Sequence, residues 1–487
     1  MHKTQPKGLY LLFLTELWER FGFYTLQTIL ILYMAKALLL TDSDAYLQYG
    51  AFSSLIYFTP VIGGYLADKF LGFQRSILIG GCLFVLGYFL MGFPFPHSFY
   101  IGLSLVIIAN GFFKPCVSSI VGDLYHKDDP RRDGGFTIFY MGINLGALLP
   151  PLITGSLAAD YGWKWVFFLA AGGMFIGLVT FLSARQRLKG AGEIPPTSSI
   201  GEDVKKRIKF YLFMAGGIIA SIIIIQLLLV FPKETVIFLV IGSLLAIMRM
   251  VFYLVKEEGL VRRRMIACLI LILISMGFWA IYTQKYTVLM LFADRNMHKE
   301  FLGITIDAEF TRFFNPFFII ILSPFFSRLW SRLGNLGHRN TIPSKFTTAV
   351  FFMALAYFVL GCGIKYFNVD GEASIWWLVL SYLLQTIGEL LISPVGLSMV
   401  TTLAPKSLTG MMMGVWFLTQ SAAFAIGGGL STFASVSEGT TKEISIYVYS
   451  EAFIVYGLIS LIVTLFSLAM IPFLKDLIKD KDATKAT

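Results

Sequence analysis

Fourteen long apolar stretches recur along the whole chain, and they restrict the folds open to it. A helix needs about 20 apolar residues to cross the hydrocarbon core of a bilayer. The sequence therefore predicts an all-α membrane protein with fourteen transmembrane helices, at 9–36, 47–68, 75–93, 98–122, 134–158, 163–184, 208–231, 234–255, 264–293, 308–332, 345–366, 373–399, 408–434 and 448–474.

Charged residues are scarce, and the basic ones are scattered. Of 487 residues, 56% are hydrophobic and 14% are charged, whereas a soluble domain has about 25% charged residues. The formal net charge is +10, but Lys and Arg are dispersed over short loops. This pattern indicates a lipid bilayer as the partner and no nucleic acid. The four cysteines are far apart in apolar stretches, so we expect neither disulfides nor a metal site.

Positive charge orients the predicted helices. An even number of spans places both termini on one side, where the basic runs at 131–132, 185–190, 205–207 and 262–264 also fall. Loops rich in Lys and Arg face the cytoplasm, so we expect cytoplasmic termini. No cleavage site follows the basic N-terminus, so we expect the first span to be retained.

One long polar segment interrupts the series of apolar stretches. Residues 185–207 contain the Pro-, Gly- and Ser-rich stretch G-A-G-E-I-P-P-T-S-S-I-G, which is typical of a linker. The next two spans are very apolar and are expected to face lipid. We predict a six-helix bundle at 1–184, a linker with two inserted helices at 185–262, and a second six-helix bundle with a short cytoplasmic tail at 263–487.

The first span carries three charges within an apolar stretch. Glu16, Glu19 and Arg20 are spaced i, i+3, i+4 and so share one helix face, which Tyr24 and Gln27 continue. Charge inside a membrane is costly unless it is paired or faces water. We expect this face to line a water-filled path; the alternative is a local ion pair that only fixes the orientation of the helix.

Two later spans carry a lone charge each. Lys114 lies within the fourth span and is followed by Pro115, which we expect to loosen the helix and expose carbonyls. The alternative for Lys114 is snorkelling to the interface. Glu389 lies between apolar runs, and we predict that it pairs with Lys114 across the two halves and exchanges a proton with water.

Uncharged polar residues in the spans are weaker candidates. Asn144 and Asn315 are single amides in apolar helices, where hydrogen bonding between helices is an equally good interpretation. Tyr57, Gln284 and Trp416 can equally serve packing.

Several function classes lack their motifs. The sequence has no Walker motif, no GxGxxG after a strand, no HExxH and no GxSxG, and its five histidines fall in loops or at the terminus. We expect no enzyme activity and no cofactor. Transport by this chain would need an ion gradient; the carboxylates favour protons, and Na⁺ stays open.

Five separate motifs resemble those of the proton-coupled oligopeptide transporter (POT) family, part of the major facilitator superfamily. The quoted stretches are E-L-W-E-R-F-G-F-Y (16–24), G-G-Y-L-A-D-K-F-L-G (63–72), N-G-F-F-K-P (110–115), F-Y-M-G-I-N-L-G-A (139–147) and I-G-E-L-L-I-S-P-V-G-L (387–397). The likeness is strongest to bacterial di- and tripeptide permeases. It implies the major facilitator fold, with two six-helix bundles plus two inserted helices, in the bacterial inner membrane.

The resemblance also implies a mechanism and assigns residues to it. A proton-coupled symporter would import di- and tripeptides by alternating access, functioning as a monomer. Cations would bind the peptide carboxylate, and an acid with amide help would bind its ammonium group. Substrate-binding candidates are Arg20, Tyr24, Gln27, Tyr57, Lys114, Asn144, Asn315, Glu389 and Trp416. Proton-coupling candidates are Glu16, Glu19, Arg20, Lys114 and Glu389, and gating candidates are Asp68 and Pro115.

One departure from the family pattern matters. Many members carry an acid in the seventh core span, but here F-W-A-I-Y-T-Q-K (278–285) has Thr283 at that position. The usual partner of that acid is an arginine in the first span, and here Gln27 stands in its place. Both are neutral, so we expect the proton to be carried by Glu16, Glu19 and Glu389, and an extracellular gate to rest on other contacts.

Two alternatives stay open. A carrier of the same fold could move another small solute, such as an amino acid, nitrate or a peptide-like drug. A receptor or scaffold that transports nothing is the other; no long soluble segment in the sequence supports it.

Overall fold

Helices make up nearly all of the structure, a computed structural model that describes residues 4–95, 97–126, 129, 131–193, 204–335, 341–405 and 408–479. Most of the predicted linker's Pro-rich part and the end of the predicted tail lie outside these ranges. The described residues form sixteen α-helices: α1 Lys7–Lys36, α2 Asp42–Leu66, α3 Phe73–Met91, α4 Ser98–Asp123, α5 Arg132–Leu148, α6 Thr154–Tyr161, α7 Trp163–Ala184, α8 Val204–Val230, α9 Pro232–Lys256, α10 Gly259–Tyr282, α11 Val288–Asn296, α12 Phe314–Asn335, α13 Ile342–Tyr366, α14 Ile375–Leu403, α15 Thr409–Ser431 and α16 Lys442–Ile478.

The predicted all-α membrane fold is confirmed. Within the described ranges, thirteen helical segments are long and apolar enough to cross a membrane. The first helix, α1, is 30 residues long but is not in that set; Glu16, Glu19 and Arg20 lie within its apolar stretch. Two spans consist of two helices each: α5 with α6, and α10 with α11.

Proline and glycine explain where helices stop. α5 ends at Leu148, and after Leu149 comes a short 3₁₀ turn that contains Pro150 and Pro151. Proline lacks the N–H that would continue an α-helix. A π-helical turn, Ala67–Leu71, extends α2 and ends at Gly72, whose φ of 75° favours glycine.

The described strands form one small hairpin after α11. β1 (Glu300–Phe301) pairs antiparallel with β2 (Ile304–Thr305), with Glu300 opposite Thr305 and Phe301 opposite Ile304. Its two turn residues, Leu302 and Gly303, both have positive φ, at 52° and 81°, as the tightest hairpin turns require.

The first of two compact units comprises Met1–Tyr33 and Leu55–Pro232. In it α3 packs along α4 and α7, and α8 packs on α4. Small residues permit the close contact between α3 and α4. A Cβ on Gly87 would lie only 2.8 Å from the carbonyl oxygen of Gly102, so a larger residue would not fit there. Close approach at small residues is the usual way in which membrane helices associate.

The second unit comprises Met34–Ser54 and Lys233–Thr487. In it α13 packs on α14 and α16, and α10 packs on α15. The first part of α2 belongs to this unit: Gly50 lies against Gly428 of α15, and the hydroxyl of Ser421 donates to the carbonyl of Ser54 (2.9 Å).

The boundary between the units crosses α1 near its end, crosses α2, and separates α8 from α9. It thus assigns the two predicted inserted helices to different units. Their most apolar windows are 11% and 22% buried, in keeping with the lipid-facing surface expected of them. The predicted division at 1–184, 185–262 and 263–487 stays a prediction.

Candidate functional site

A buried ion-pair cluster lies on one face of α1. Arg20 donates from Nε to Glu19 Oε2 (2.5 Å) and from Nη2 to Glu19 Oε1 (2.7 Å). Its Nε also lies 3.4 Å from Glu16 Oε1. All three residues are at most 6% exposed. The i, i+3, i+4 spacing thus brings together the side chains that the sequence singled out, with a bidentate pair at the centre.

Lys114 of α4 is the second cation near this cluster. Its ammonium lies 4.5 Å from the ring centroid of Tyr57 on α2, and it interacts electrostatically with Arg20, Glu19 and Glu16. Among the residues that the structure describes, Lys114 makes no hydrogen bond or ion pair. Lys114 and Arg20 thus supply two positive charges next to the two carboxylates of Glu16 and Glu19.

The rest of the α1 face continues away from the ion pairs. Tyr24 and Gln27 follow Arg20 by one and two helical turns; Gln27 is buried, and Tyr24 is half-buried. The tyrosine ring meets Phe23 edge-on, with centroids 5.7 Å apart. Both residues thus extend the predicted polar face toward the second half of the helix.

α5 packs closely against α1 beside this cluster, and a glycine permits the contact. A Cβ on Gly146 would overlap the carbonyl of Leu17 and lie 2.9 Å from the Cβ of Arg20. The buried Asn144 lies two residues earlier on α5 and donates from Nδ2 to the carbonyl of Tyr140 on its own helix (2.9 Å). This bond is not the interhelical one considered from the sequence. The amide oxygen of Asn144 keeps its acceptor capacity.

The two gating candidates differ in environment. Asp68 is exposed in the π-helical turn after α2. Pro115 lies inside α4, which continues as a helix to Asp123. Proline leaves the carbonyl of Gly111 without its helical donor, and Gly63 of α2 packs against that carbonyl. Neighbouring backbone therefore covers the carbonyl that was expected to be exposed, and the helix is not interrupted.

The second unit holds its own charged cluster. Asn315 of α12 donates from Nδ2 to Glu389 Oε2 (2.8 Å) and to Thr386 Oγ1 (2.9 Å) of α14. Its Oδ1 accepts from Lys285 Nζ (3.0 Å), which lies 3.9 Å from Glu389 Oε2. Sequence reasoning identified Glu389 and Asn315 but gave Lys285 no role. The sequence feature that could have identified Lys285 is the presence of a lysine within an apolar span.

The neutral residues of the seventh core span serve packing. Thr283 is fully buried and donates to the carbonyl of Trp279 on its own helix (2.9 Å). Gln284 donates to the carbonyl of Gly427 (2.8 Å) and accepts from Ser431 (2.8 Å), both of α15. This contact gives Gln284 a structural role, which was one of its two interpretations.

Trp416 is also packed. Its ring lies against Gly396 of α14, where a Cβ would come within 2.5 Å of Cη2, and the residue is 6% exposed. The structure thus places Trp416 in a helix–helix contact within the second unit, and a role in substrate binding stays a prediction.

A charged cavity of about 980 Å³ lies at one end of the second unit. Asp42 in its wall accepts from Arg295 Nη1 (2.6 Å) and Nη2 (2.7 Å) and from the backbone N–H of Val436 (2.9 Å). These contacts join the start of α2 to α11 within the second unit, and the expectation of an extracellular gate that does without a Thr283–Gln27 pair stays a prediction. Sequence reasoning missed them because the partners are far apart along the chain.

Beside this cavity lies an exposed group outside the membrane spans. His298 Nδ1 is 3.3 Å from Glu372 Oε2, and its Nε2 is 3.5 Å from Glu300 Oε2. Hydrogen bonds to Glu372 and Glu300 raise the pKa of His298 above 6.5. Lys442 and His298 lower the pKa of Glu372 below 4.5.

Known proteins resemble this chain over nearly its whole length. A sequence model of the POT family matches residues 74–447. The chain is 34% identical over 477 residues to dipeptide and tripeptide permease B of Salmonella typhimurium, with 97% of this chain and 96% of the relative covered.

Solved structures agree. A crystal structure of a mutant of the peptide transporter POT in complex with alafosfalin has a TM-score of 0.82 and 36% identity, covering 98% of this chain and 96% of that one. A POT family transporter in complex with 5-aminolevulinic acid has a TM-score of 0.82 and 29% identity, covering 96% and 97%. The resemblance inferred from five short motifs is confirmed: this multi-pass membrane chain belongs to the POT family, a family of transporters and not of enzymes.

Proposed function

We propose that the chain is a proton-coupled symporter that imports di- and tripeptides by alternating access. Relatives that match nearly its full length are named dipeptide and tripeptide permeases, and a solved relative binds alafosfalin. The observation that most strongly supports this proposal concerns Lys114. It is a half-buried cation in mid-helix that makes no ion pair in the described part of the chain.

A zwitterionic peptide needs a cation for its carboxylate. In the first unit, Arg20 is engaged by Glu19 through two hydrogen bonds, so Lys114 is the cation that can take a carboxylate without breaking an existing pair. Arg20 supports it by its charge. Tyr24, Gln27 and Tyr57 supply hydroxyl, amide and ring surface next to these cations for the peptide backbone and side chains.

The peptide ammonium needs an acid, and Glu389 is the proposed one. Its side chain is 15% exposed, more than those of the acids on α1, so it can be reached by a ligand. Asn315 already donates to one of its oxygens, and Asn144 offers an amide oxygen as a further acceptor. Trp416 is proposed as apolar surface near the substrate.

Protons act on the carboxylates of both clusters. Protonation of Glu16 or Glu19 removes the charge that Arg20 binds, and protonation of Glu389 removes the charge that faces Asn315 and Lys285. Local loss of an ion pair can bias a two-state helix arrangement. We place Asp68 and Pro115 among the residues that take part in that rearrangement.

A second candidate is a carrier of another small solute on the same fold. A solved POT family relative in complex with 5-aminolevulinic acid favours this alternative, because that ligand also carries an amino group and a carboxylate. Competition separates the two. Unlabelled dialanine should suppress uptake of a labelled dipeptide; if 5-aminolevulinic acid is taken up and dialanine does not compete, the peptide assignment is wrong.

Lys114→Ala tests the assignment of Lys114 as the cation that binds the peptide carboxylate. We expect dialanine counterflow in proteoliposomes to fall at least about tenfold, the effect of losing roughly 1.4 kcal/mol of binding. Lys164→Ala is the matched control, because Lys164 is an exposed lysine of the same unit. Wild-type counterflow in Lys114→Ala would contradict the assignment.

The same proposal covers location and assembly. We propose that the protein resides in the inner membrane of a bacterium with both termini in the cytoplasm. The loops rich in Lys and Arg are expected on the same side of the membrane as the termini, and such loops face the cytoplasm. We also propose that a monomer suffices for transport. Single cysteines in the loops, labelled with a membrane-impermeant reagent on intact cells, test the orientation; labelling of both termini from outside would reverse it.

A further inference from the structure

Lys285 is a buried cation to which the mechanism above gives no role of its own. It is 3% exposed, and a charge at such a position is retained only with partners. Its ammonium donates to the Tyr282 hydroxyl and to Asn315 Oδ1 (3.0 Å). It also lies over the Tyr282 and Tyr286 rings, 3.6 and 4.8 Å from their centroids. An ammonium ion can make all of these contacts, as a hydrogen-bond donor or as a cation over a ring.

Asn315 joins this cation to Glu389. The amide accepts from Lys285 on one side and donates to Glu389 Oε2 (2.8 Å) on the other. The same carboxylate oxygen faces the ammonium at 3.9 Å. An oxygen that meets an N–H and an ammonium is stabilised as part of a carboxylate, because a proton on it would face two donors. The arrangement therefore fits ionised Glu389.

The other charged and titratable groups around the pair do not replace Lys285. Arg312, from the 3₁₀ turn before α12, stacks over the Tyr286 ring at 4.3 Å from its centroid and adds positive charge near Lys285. Tyr382 of α14 is fully buried near Arg312. Among the described residues, Glu389 is the one acid within 4.0 Å of Lys285. Protonation of Glu389 therefore leaves Lys285 without an ionised partner.

We propose that Lys285 is a positioning residue of proton coupling: acting with Asn315, it holds Glu389 ionised in the empty carrier and yields the carboxylate to the peptide ammonium or to a proton. This inference rests on the proposed function. It gives a charged role to the seventh core span, where Thr283 stands in place of an acid. Lys285, a proton and a peptide ammonium are alternative partners of the same carboxylate, which links occupancy of the site to its protonation.

The test compares Lys285→Met, Lys285→Arg and the wild type in proteoliposomes with dialanine as the probe. Counterflow measures substrate exchange without a proton gradient, and gradient-driven accumulation measures coupling. We expect Lys285→Met to keep counterflow within about twofold, to lose accumulation by at least about tenfold, and to lose the pH dependence of counterflow. Lys285→Arg should recover accumulation, because it restores the cation. Lys299→Met, an exposed lysine of the same unit, should behave as wild type.

Three outcomes overturn the inference. The first is accumulation of dialanine by Lys285→Met at the wild-type level. The second is an equal loss of counterflow and accumulation in Lys285→Met, as a packing defect predicts. The third is failure of Lys285→Arg to recover coupling. Failure of the wild type to exchange dialanine at all has a different meaning, since it refutes the proposed function and not the role of Lys285 alone.

Discussion

Neutralising the two acids of α1 should have unequal effects on stability. Glu19 is fully buried and accepts two hydrogen bonds from Arg20, at 2.5 and 2.7 Å. Glu16 has one contact with Arg20, at 3.4 Å. A hydrogen bond to a charged group contributes about 1.5–3 kcal/mol, and a neutral one about 0.5–1.5 kcal/mol. The two acids therefore differ in both the number and the quality of their bonds.

Glu19→Gln removes the charge and turns one acceptor oxygen into an NH₂ group that faces a guanidinium N–H. One bond keeps its charged donor but loses its charged acceptor, and the other bond is lost, so the expected cost is about 3 kcal/mol. Glu16→Gln weakens a single long contact and should cost about 1 kcal/mol. The difference of about 2 kcal/mol corresponds to roughly a 30-fold change in the unfolding equilibrium.

Thermal unfolding in a mild detergent at pH 7, followed by tryptophan fluorescence, ranks the variants. We expect the midpoint temperature to fall in the order wild type, Glu16→Gln, Glu19→Gln. Glu193→Gln, an exposed acid of the same unit, controls for loss of one negative charge. A midpoint for Glu16→Gln at or below that of Glu19→Gln would refute the geometry of this cluster.

Three further predictions concern other parts of the molecule. Gly146→Leu should block the close approach of α5 to α1 and reduce the monodisperse fraction in size-exclusion chromatography; an unchanged profile would contradict the packing. Asp42→Asn should lower the unfolding temperature, since its carboxylate accepts two guanidinium hydrogen bonds worth about 1.5–3 kcal/mol each; Asp44→Asn, at an exposed acid, should not. The imidazole of His298 should titrate above pH 6.5 by NMR and return toward it in Glu372→Gln; because the imidazolium is the paired form, this contact is lost as pH rises through the raised pKa, and an unshifted titration would disprove the pairing.

Local spacing predicted the α1 cluster well. Three residues at i, i+3 and i+4 lie on one helix face whatever the tertiary fold is, so Glu16, Glu19 and Arg20 could be placed together from the sequence. The same reasoning could not tell that Arg20 binds Glu19 through two bonds and Glu16 through one longer contact. That preference depends on side-chain rotamers and on how α5 packs.

The second cluster depends on contacts that no local pattern reveals. Asn315 is 30 residues from Lys285 and 74 from Glu389 along the chain, and three helices must pack before they meet. Pro115 shows the opposite limit. Its identity indicated a weakened helix, but Gly63 covers the carbonyl that it frees, because an uncovered carbonyl would be costly in a bilayer.

Proton movement that depends on peptide is the most direct measure of the proposed function. Purified protein in proteoliposomes that contain a pH-sensitive dye should acidify the lumen when dialanine is added outside under an inside-negative potential. Glu389→Gln should abolish this signal while the Lys299→Met control keeps it. Absence of dialanine-dependent acidification in the wild type, or full acidification in Glu389→Gln, would contradict proton-coupled peptide import through Glu389.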